Sequence, residues 1–236
     1  MVIPLHDDNP TSIRPVITIA LIGICIAVFL WQLMAGPQGG ERIIYALGAI
    51  PAVLVGGEEL SPGLAVVPPV ISIFTSMFLH GGLLHLLGNM LYLWIFGNNV
   101  EDAMGHGRFV VFYLLCGSAA VFAQVLADPQ SPVPMVGASG AISGVLGAYV
   151  LLYPRARVLI GLPLGFFVVQ IGRFPAVAVL AMWFLMQLVL GHAAAGRAAT
   201  EGAQGGVAFA AHVGGFLTGM VLIPVFKRAH VPLWGR

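Results

Sequence analysis

The sequence predicts an all-α membrane protein: a bundle of six transmembrane helices with a long membrane-associated outer loop between the first two, forming one membrane domain over residues 1–236. Composition is the first reason. Of the 236 residues 59% are hydrophobic and only 8% charged, with a mean hydropathy of +0.98, far from the roughly 25% charge of a soluble domain. Apolar length is the second: a helix needs about 20 apolar residues to cross hydrocarbon, and stretches of that order recur at 14–34, 71–97, 108–127, 138–153, 174–191 and 206–226. The third is that His85–Asn89, Gly137–Gly140 and His212–Gly219 put polar side chains inside those stretches, where they are costly and mark function.

Taken in order, the first span follows a short N-terminus with Asp7, Asp8 and Arg14. No small-residue cleavage site follows it, so it is expected to stay in the bundle rather than act as a signal peptide. Cys25 and Cys116 lie within apolar spans, as small buried side chains rather than disulfide partners. The connection 35–70 carries Gly and Pro together with Ile43, Ile44, Tyr45, Leu47 and Leu54. That apolar content predicts a partly helical hairpin in or on the outer leaflet.

Glu101–Gly107 is expected as the loop after the second span, Asp128–Val136 as the loop after the third, and Gly/Ala-rich His192–Gly206 as the loop before the sixth. Trp183 and Phe184 give the fifth span a bulky surface, expected as a lateral gate beside the second. Arg14, Arg108, Arg155, Arg157, Arg173, Lys227, Arg228 and Arg236 fall on one side, and Arg42 and Arg197 on the other. This asymmetry predicts cytoplasmic termini. A net charge of +1 supplies no basic field for nucleic acid.

The chemistry begins at Gly137-Ala138-Ser139-Gly140, which opens the fourth span after a proline-rich loop. Ser139 is thus expected at a helix N-terminus, where free N–H groups and the helix dipole favour negative charge. Flanking glycines admit a carbonyl close to the backbone, as an oxyanion hole requires. Ala141 stands where a soluble hydrolase elbow has its second glycine, and no strand is expected before the turn, so that elbow is excluded.

In the sixth span His212, Gly215 and Gly219 share one helix face. Gly140, Gly144 and Gly147 form a comparable stripe on the fourth, and two such stripes let helices approach closely. His212, about two turns into its span and roughly 9 Å below the surface, is expected at the depth of Ser139. The nine carboxylates all fall in loops or at span ends, so the expected machinery is a Ser139–His212 dyad without an acid.

His85 and Asn89, four residues apart, can aim two N–H donors at one point. His80 stands roughly 140° away around a helix and is expected to make a structural hydrogen bond instead. With no His-Glu-x-x-His and no paired ligands beside either cysteine, no metal is expected.

These residues resemble the rhomboid family of intramembrane serine proteases: His80-Gly-Gly-Leu-Leu-His85-Leu-Leu-Gly-Asn89, Gly137-Ala138-Ser139-Gly140, and Ala211-His212-Val213-Gly214-Gly215 with Gly219. The resemblance implies Ser139 as nucleophile and His212 as base. His85, Asn89 and the backbone at Ala138 and Ser139 would form the oxyanion hole, supported by His80, Gly137, Gly140, Gly215 and Gly219.

It further implies cleavage of transmembrane protein substrates within the lipid bilayer, no cofactor, and a bacterial inner (plasma) membrane with the site opening outward. Two departures stand out. Ser143 occupies a position where some members carry a tyrosine under the histidine, and Gly88 one where some carry a bulky residue. Tyr149 is a candidate to replace that support, and Glu101 resembles a structural position. The rival reading is a non-enzymatic bundle: an inactive relative that binds membrane helices, or a haem or transport protein using His80, His85, His192 and His212.

Overall fold

The computed structural model describes residues 3–165, 167–201 and 208–235. Gly206 at the expected start of the sixth span, and Arg236, lie outside them. The chain opens with strand β1 (Ile3–Asp7) and helix α1 (Val16–Met34). Pro15 precedes α1 and offers it no side-chain cap. Glu101 takes over that task, its carboxylate accepting the N–H groups of Ile17 and Thr18 and the Thr18 hydroxyl at 2.7–2.9 Å. A fully buried carboxylate is thereby satisfied by a helix N-terminus.

The connection after α1 is partly helical, with α2 (Gly36–Leu47) and α3 (Pro51–Leu54). It is stitched to the loop before Ser139 by a two-way backbone pairing of Ala49 with Met135 and by Ala52 N–H donating to the Ser131 carbonyl.

The expected second span, 71–97, is broken. Helix α4 (Pro69–Thr75) runs into a 3-10 turn (Ser76–Phe78), and α5 (Leu83–Tyr92) restarts at an angle of 81°. The corner falls at His80-Gly81-Gly82, where glycines favour leaving the helix. Exposed backbone in an apolar setting needs partners, and Gln32 of α1 supplies them. Its side-chain amide donates to the His80 carbonyl and accepts the His80 N–H, each at 3.1 Å.

From Tyr92 the helix continues through a π-type turn (Leu93–Gly97) into α6 (Asn98–Met104). Much of the expected loop Glu101–Gly107 is therefore helical. Gly105, at φ +84°, ends it before α7 (His106–Ala127).

Helix α8 (Ser139–Leu152) has only 14 residues, and 11 of them are buried. It is the hub of the bundle, between α7 and α10 (Phe209–Phe226). The small-residue stripes meet here: a methyl added to Gly215 or Gly219 would collide with the Gly140 or Gly144 carbonyl. Gly140 differs in that its own Cβ direction points at Ala120 of α7.

The all-α expectation needs correction, because a three-stranded antiparallel sheet joins β1 to a hairpin of β2 (Arg157–Leu164) and β3 (Phe167–Pro175), in the order β1-β2-β3. Pro154 ends α8, Gly165 at φ +63° lies at the hairpin tip, and Pro175 ends β3. Both strands are apolar runs rather than alternating ones, so period-2 patterning does not betray them.

Helix α9 (Ala176–Glu201) then continues past the expected end at 191, converting His192–Glu201 from loop to helix. Among the described residues four helices are long and apolar enough to cross a membrane: α1, α7, the Ala176–Ala193 part of α9, and α10. The bent α4–α5 pair would make a fifth. Cys25 and Cys116 are free and buried.

Candidate active site

Ser139 is the first residue of α8, half-buried. His212 is buried in the first turn of α10. That is one turn into its helix rather than the expected two, because α10 begins at Phe209. The imidazole Nε2 lies 2.8 Å from Ser139 Oγ. The backbone contact of α8 and α10, where no side chain separates the glycines, lets two helix starts bring an alcohol and an imidazole together.

The other ring nitrogen is also engaged. His212 Nδ1 stands 2.8 Å from Oε1 of Gln187 on α9, a residue the sequence reading passed over because it sought only acids. Trp183, one turn earlier on α9, packs on the imidazole with ring centres 6.0 Å apart. Trp183 and Phe184, the pair expected as a lateral gate, also pack on Phe216 of α10.

Ser143 donates instead to the Ser139 carbonyl, 2.6 Å away. Tyr149 points to the opposite end of α8 and donates to Asp7 at 2.5 Å. Neither supports the histidine; Trp183 and Gln187 occupy that role's place. Gln187 could have been noticed as a lone amide in an apolar helix, four residues after an aromatic on the same face.

The loop entering α8 is pinned by Gly137 N–H donating to the Ser76 carbonyl at 2.9 Å. Gly137 itself adopts φ +122°, and a methyl there would meet His85 Nε2 at 2.8 Å and Asn89 Nδ2 at 3.5 Å. His85 and Asn89 thus abut the turn that carries Ala138 and Ser139. Gly81 N–H approaches His85 Nδ1 at 3.4 Å, which engages Nδ1 as an acceptor and leaves Nε2, on the Gly137 side, as the nitrogen available to donate. Asn89 is buried, and its Nδ2 finds no partner among the described residues.

The angular expectation for His80 fails because α5 starts only at Leu83. His80 lies in the break, its ring 5.3 Å from that of His85. The structural hydrogen bond expected of it is made by its backbone to Gln32, while both ring nitrogens are buried and unpartnered among the described residues. Gly88 faces open space, and His192 is exposed on α9.

Beside Ser139 a cleft of about 40 Å³ is lined by Ser76, Met77, Gly117, Val136, Gly140 and Ala211. That is room for water but not for a peptide. A larger cavity, about 200 Å³, lies among residues 46–72 and contains none of these side chains.

The model of the Rhomboid domain matches residues 68–229, from the start of the bent pair to beyond α10. The chain belongs to the rhomboid family. Among curated rhomboids it is 34% identical to the rhomboid protease GluP of Bacillus subtilis over 148 residues, which is 62% of this chain and 27% of that protein. It is also 34% identical to the mitochondrial rhomboid protein 1 of Saccharomyces cerevisiae, over 60% of this chain and 38% of that one. RHOMBOID-like protein 5 of Arabidopsis thaliana is 38% identical over 76 residues, 32% of this chain and 25% of the relative. The chain thus spans only about a quarter to two fifths of the length of these rhomboids. Its apolar helices and family membership make it an integral membrane protein.

Proposed function

We propose that the chain is an intramembrane serine endopeptidase that cleaves transmembrane segments of other proteins. The 2.8 Å approach of His212 Nε2 to Ser139 Oγ carries this reading. The imidazole takes the hydroxyl proton as Oγ attacks the scissile carbonyl, and then passes that proton to the leaving amine. Water then gives a proton to the same nitrogen as it attacks the acyl ester, and the imidazolium hands that proton to Ser139 Oγ as the acyl–oxygen bond breaks.

The developing oxyanion is held by the free N–H groups at the α8 N-terminus around Ala138 and Ser139, the His85 Nε2–H and the Asn89 amide. An unpartnered buried donor beside Gly137 supports this assignment, since such a group is costly unless an acceptor arrives. Both ring nitrogens of His212 are engaged by side chains, which argues against the haem-ligand reading.

In this proposal six crossings form the bundle, counting the bent pair and α8. At 14 residues α8 covers roughly 21 Å of a core about 30 Å thick. With its far end at the inner surface, Ser139 stops short of the outer one and is reached from outside by water. The Arg108 and Arg228 guanidiniums bind, and the Arg157 backbone N–H donates to Asp8, around the end that holds β1, α6 and the end of α10, a clustering of basic residues that supports cytoplasmic termini. A helical substrate must unwind before attack, so segments containing Gly or Pro are preferred. They enter from lipid by displacing a wall of the narrow cleft.

The test is fluorophosphonate labelling together with cleavage of a reporter transmembrane helix in vesicles. Wild type is expected to do both, and Ser139→Ala and His212→Ala to do neither while melting normally. A folded wild-type chain that neither labels nor cleaves would be an inactive relative.

A further inference from the structure

We propose that Gln187 is a positioning residue for His212, its amide oxygen holding the imidazole in the tautomer that leaves Nε2 free to accept the Ser139 proton. The inference rests on the reading of Ser139 and His212 as nucleophile and base. It follows from a polarity argument. A neutral imidazole has one donor nitrogen and one acceptor, and a base facing Ser139 must present its acceptor there.

Nδ1 must then carry the hydrogen, and in an apolar bundle that N–H needs an acceptor. Gln187 Oε1, 2.8 Å away, is that acceptor. The opposite orientation, with the amide NH₂ towards Nδ1, would turn Nε2 into a donor and leave the serine proton nowhere to go.

Both residues are buried, at 8% and 9% exposure, so water competes little for the bond. Gln187 is also well anchored. Trp183, one turn away, packs on the imidazole, and Phe184 packs on Phe216 with ring centres 4.6 Å apart. One face of α9 therefore fixes the ring in plane and in tautomer.

A neutral amide performs this orientation without placing an anion in hydrocarbon, where an unpaired charge is expensive. The third group of the constellation is therefore matched to its solvent. It has no acid's charge with which to stabilise the imidazolium, only the geometry to align it.

The experiment compares Q187L, which keeps volume but cannot accept a hydrogen bond, with Q187E, which keeps an oxygen in place. Turnover of a reporter transmembrane peptide in proteoliposomes is expected to fall in Q187L by about 10- to 1000-fold in kcat with KM little changed. That loss is smaller than the roughly 10⁴-fold seen when a triad histidine is left in the wrong tautomer. Q187E is expected to recover at least about 10-fold of the loss.

Nitrogen NMR of histidine-labelled, folded protein reads the tautomer without reference to activity. His212 should be the Nδ1–H form in wild type and lose that fixed form in Q187L. An active wild type whose Q187L variant keeps its kcat, or keeps the Nδ1–H signature, overturns the proposal, as does a Q187E variant no better than Q187L. A wild type inert to fluorophosphonate overturns the protease reading instead, while the nitrogen spectra still report the His212–Gln187 bond.

Discussion

Gly219→Ala tests whether backbone contact between α8 and α10 sets the separation of Ser139 and His212. A methyl there would lie 2.6 Å from the Gly144 carbonyl carbon and 2.7 Å from its Cα, with the carbonyl oxygen nearer still, whereas ordinary contact starts at 3.4 Å. Every obstructing atom is backbone, so no side chain can rotate away. The helices must part by at least about 0.8 Å, the shortfall between 2.6 and 3.4 Å. Carried to the helix starts, that movement takes the 2.8 Å Oγ–Nε2 approach to about 3.6 Å, beyond hydrogen-bond range.

Misplacement of about 1 Å costs on the order of 100-fold in rate, and overpacking costs about 1–3 kcal/mol of stability. Reporter cleavage in vesicles and a thermal melt measure the two effects separately. Gly23→Ala on α1 is the control: its methyl meets nothing within 4 Å, so cleavage should be unchanged and the melt equal or slightly higher, alanine being the better helix former. Wild-type cleavage by folded Gly219→Ala would refute the idea that this contact holds the two side chains in register.

Three further expectations can be checked with the same protein. Asn89→Ala should lower kcat about 10- to 1000-fold with little change in KM, as loss of an oxyanion donor does, measured on the reporter peptide. Glu101→Ala should cost about 2–4 kcal/mol in a denaturation experiment, since it strips three hydrogen bonds from the start of α1 and leaves buried donors unpaired. Asp7 is held above the usual carboxylate range, chiefly by burial and against the Tyr149 hydrogen bond. The folded state therefore binds its proton more tightly than the unfolded chain does. Its contribution to stability is complete below the ordinary carboxylate value and is lost as pH rises through the elevated one. Asp7→Asn, which keeps an acceptor for Tyr149 but cannot ionise, should flatten that part of a melting-temperature profile.

Hydropathy makes α1, α7 and α10 legible because their length and apolar content are local properties. The corner at His80 is not legible in the same way, since it depends on Gln32, 48 residues earlier, to satisfy the backbone freed there. The hairpin escapes notice because β2 and β3 are short apolar runs without alternation, beside spans of similar composition. At the site, glycine spacing anticipates the contact of α8 with α10, but helix-wheel angles mislead for His80 because its segment is not helical. Gln187 stays hidden for a chemical reason: a search for a histidine's partner among carboxylates overlooks an amide, which aligns a ring equally well without a charge.

The seclusion of α8 also bears on how the molecule is made. The ribosome delivers this helix after α7 but before α10 exists, so at birth one flank of its glycine ridge, with the hydroxyl of Ser139, lacks the cover it has in the finished bundle. Until then its neighbours are α7, the turn at Leu93–Gly97 and smaller contacts from α5, α6, the Ser76–Phe78 turn and α9. Nascent chains halted before residue 208 should consequently be preferred clients of membrane quality control, and maturation should become resistant to degradation only once the last helix has emerged.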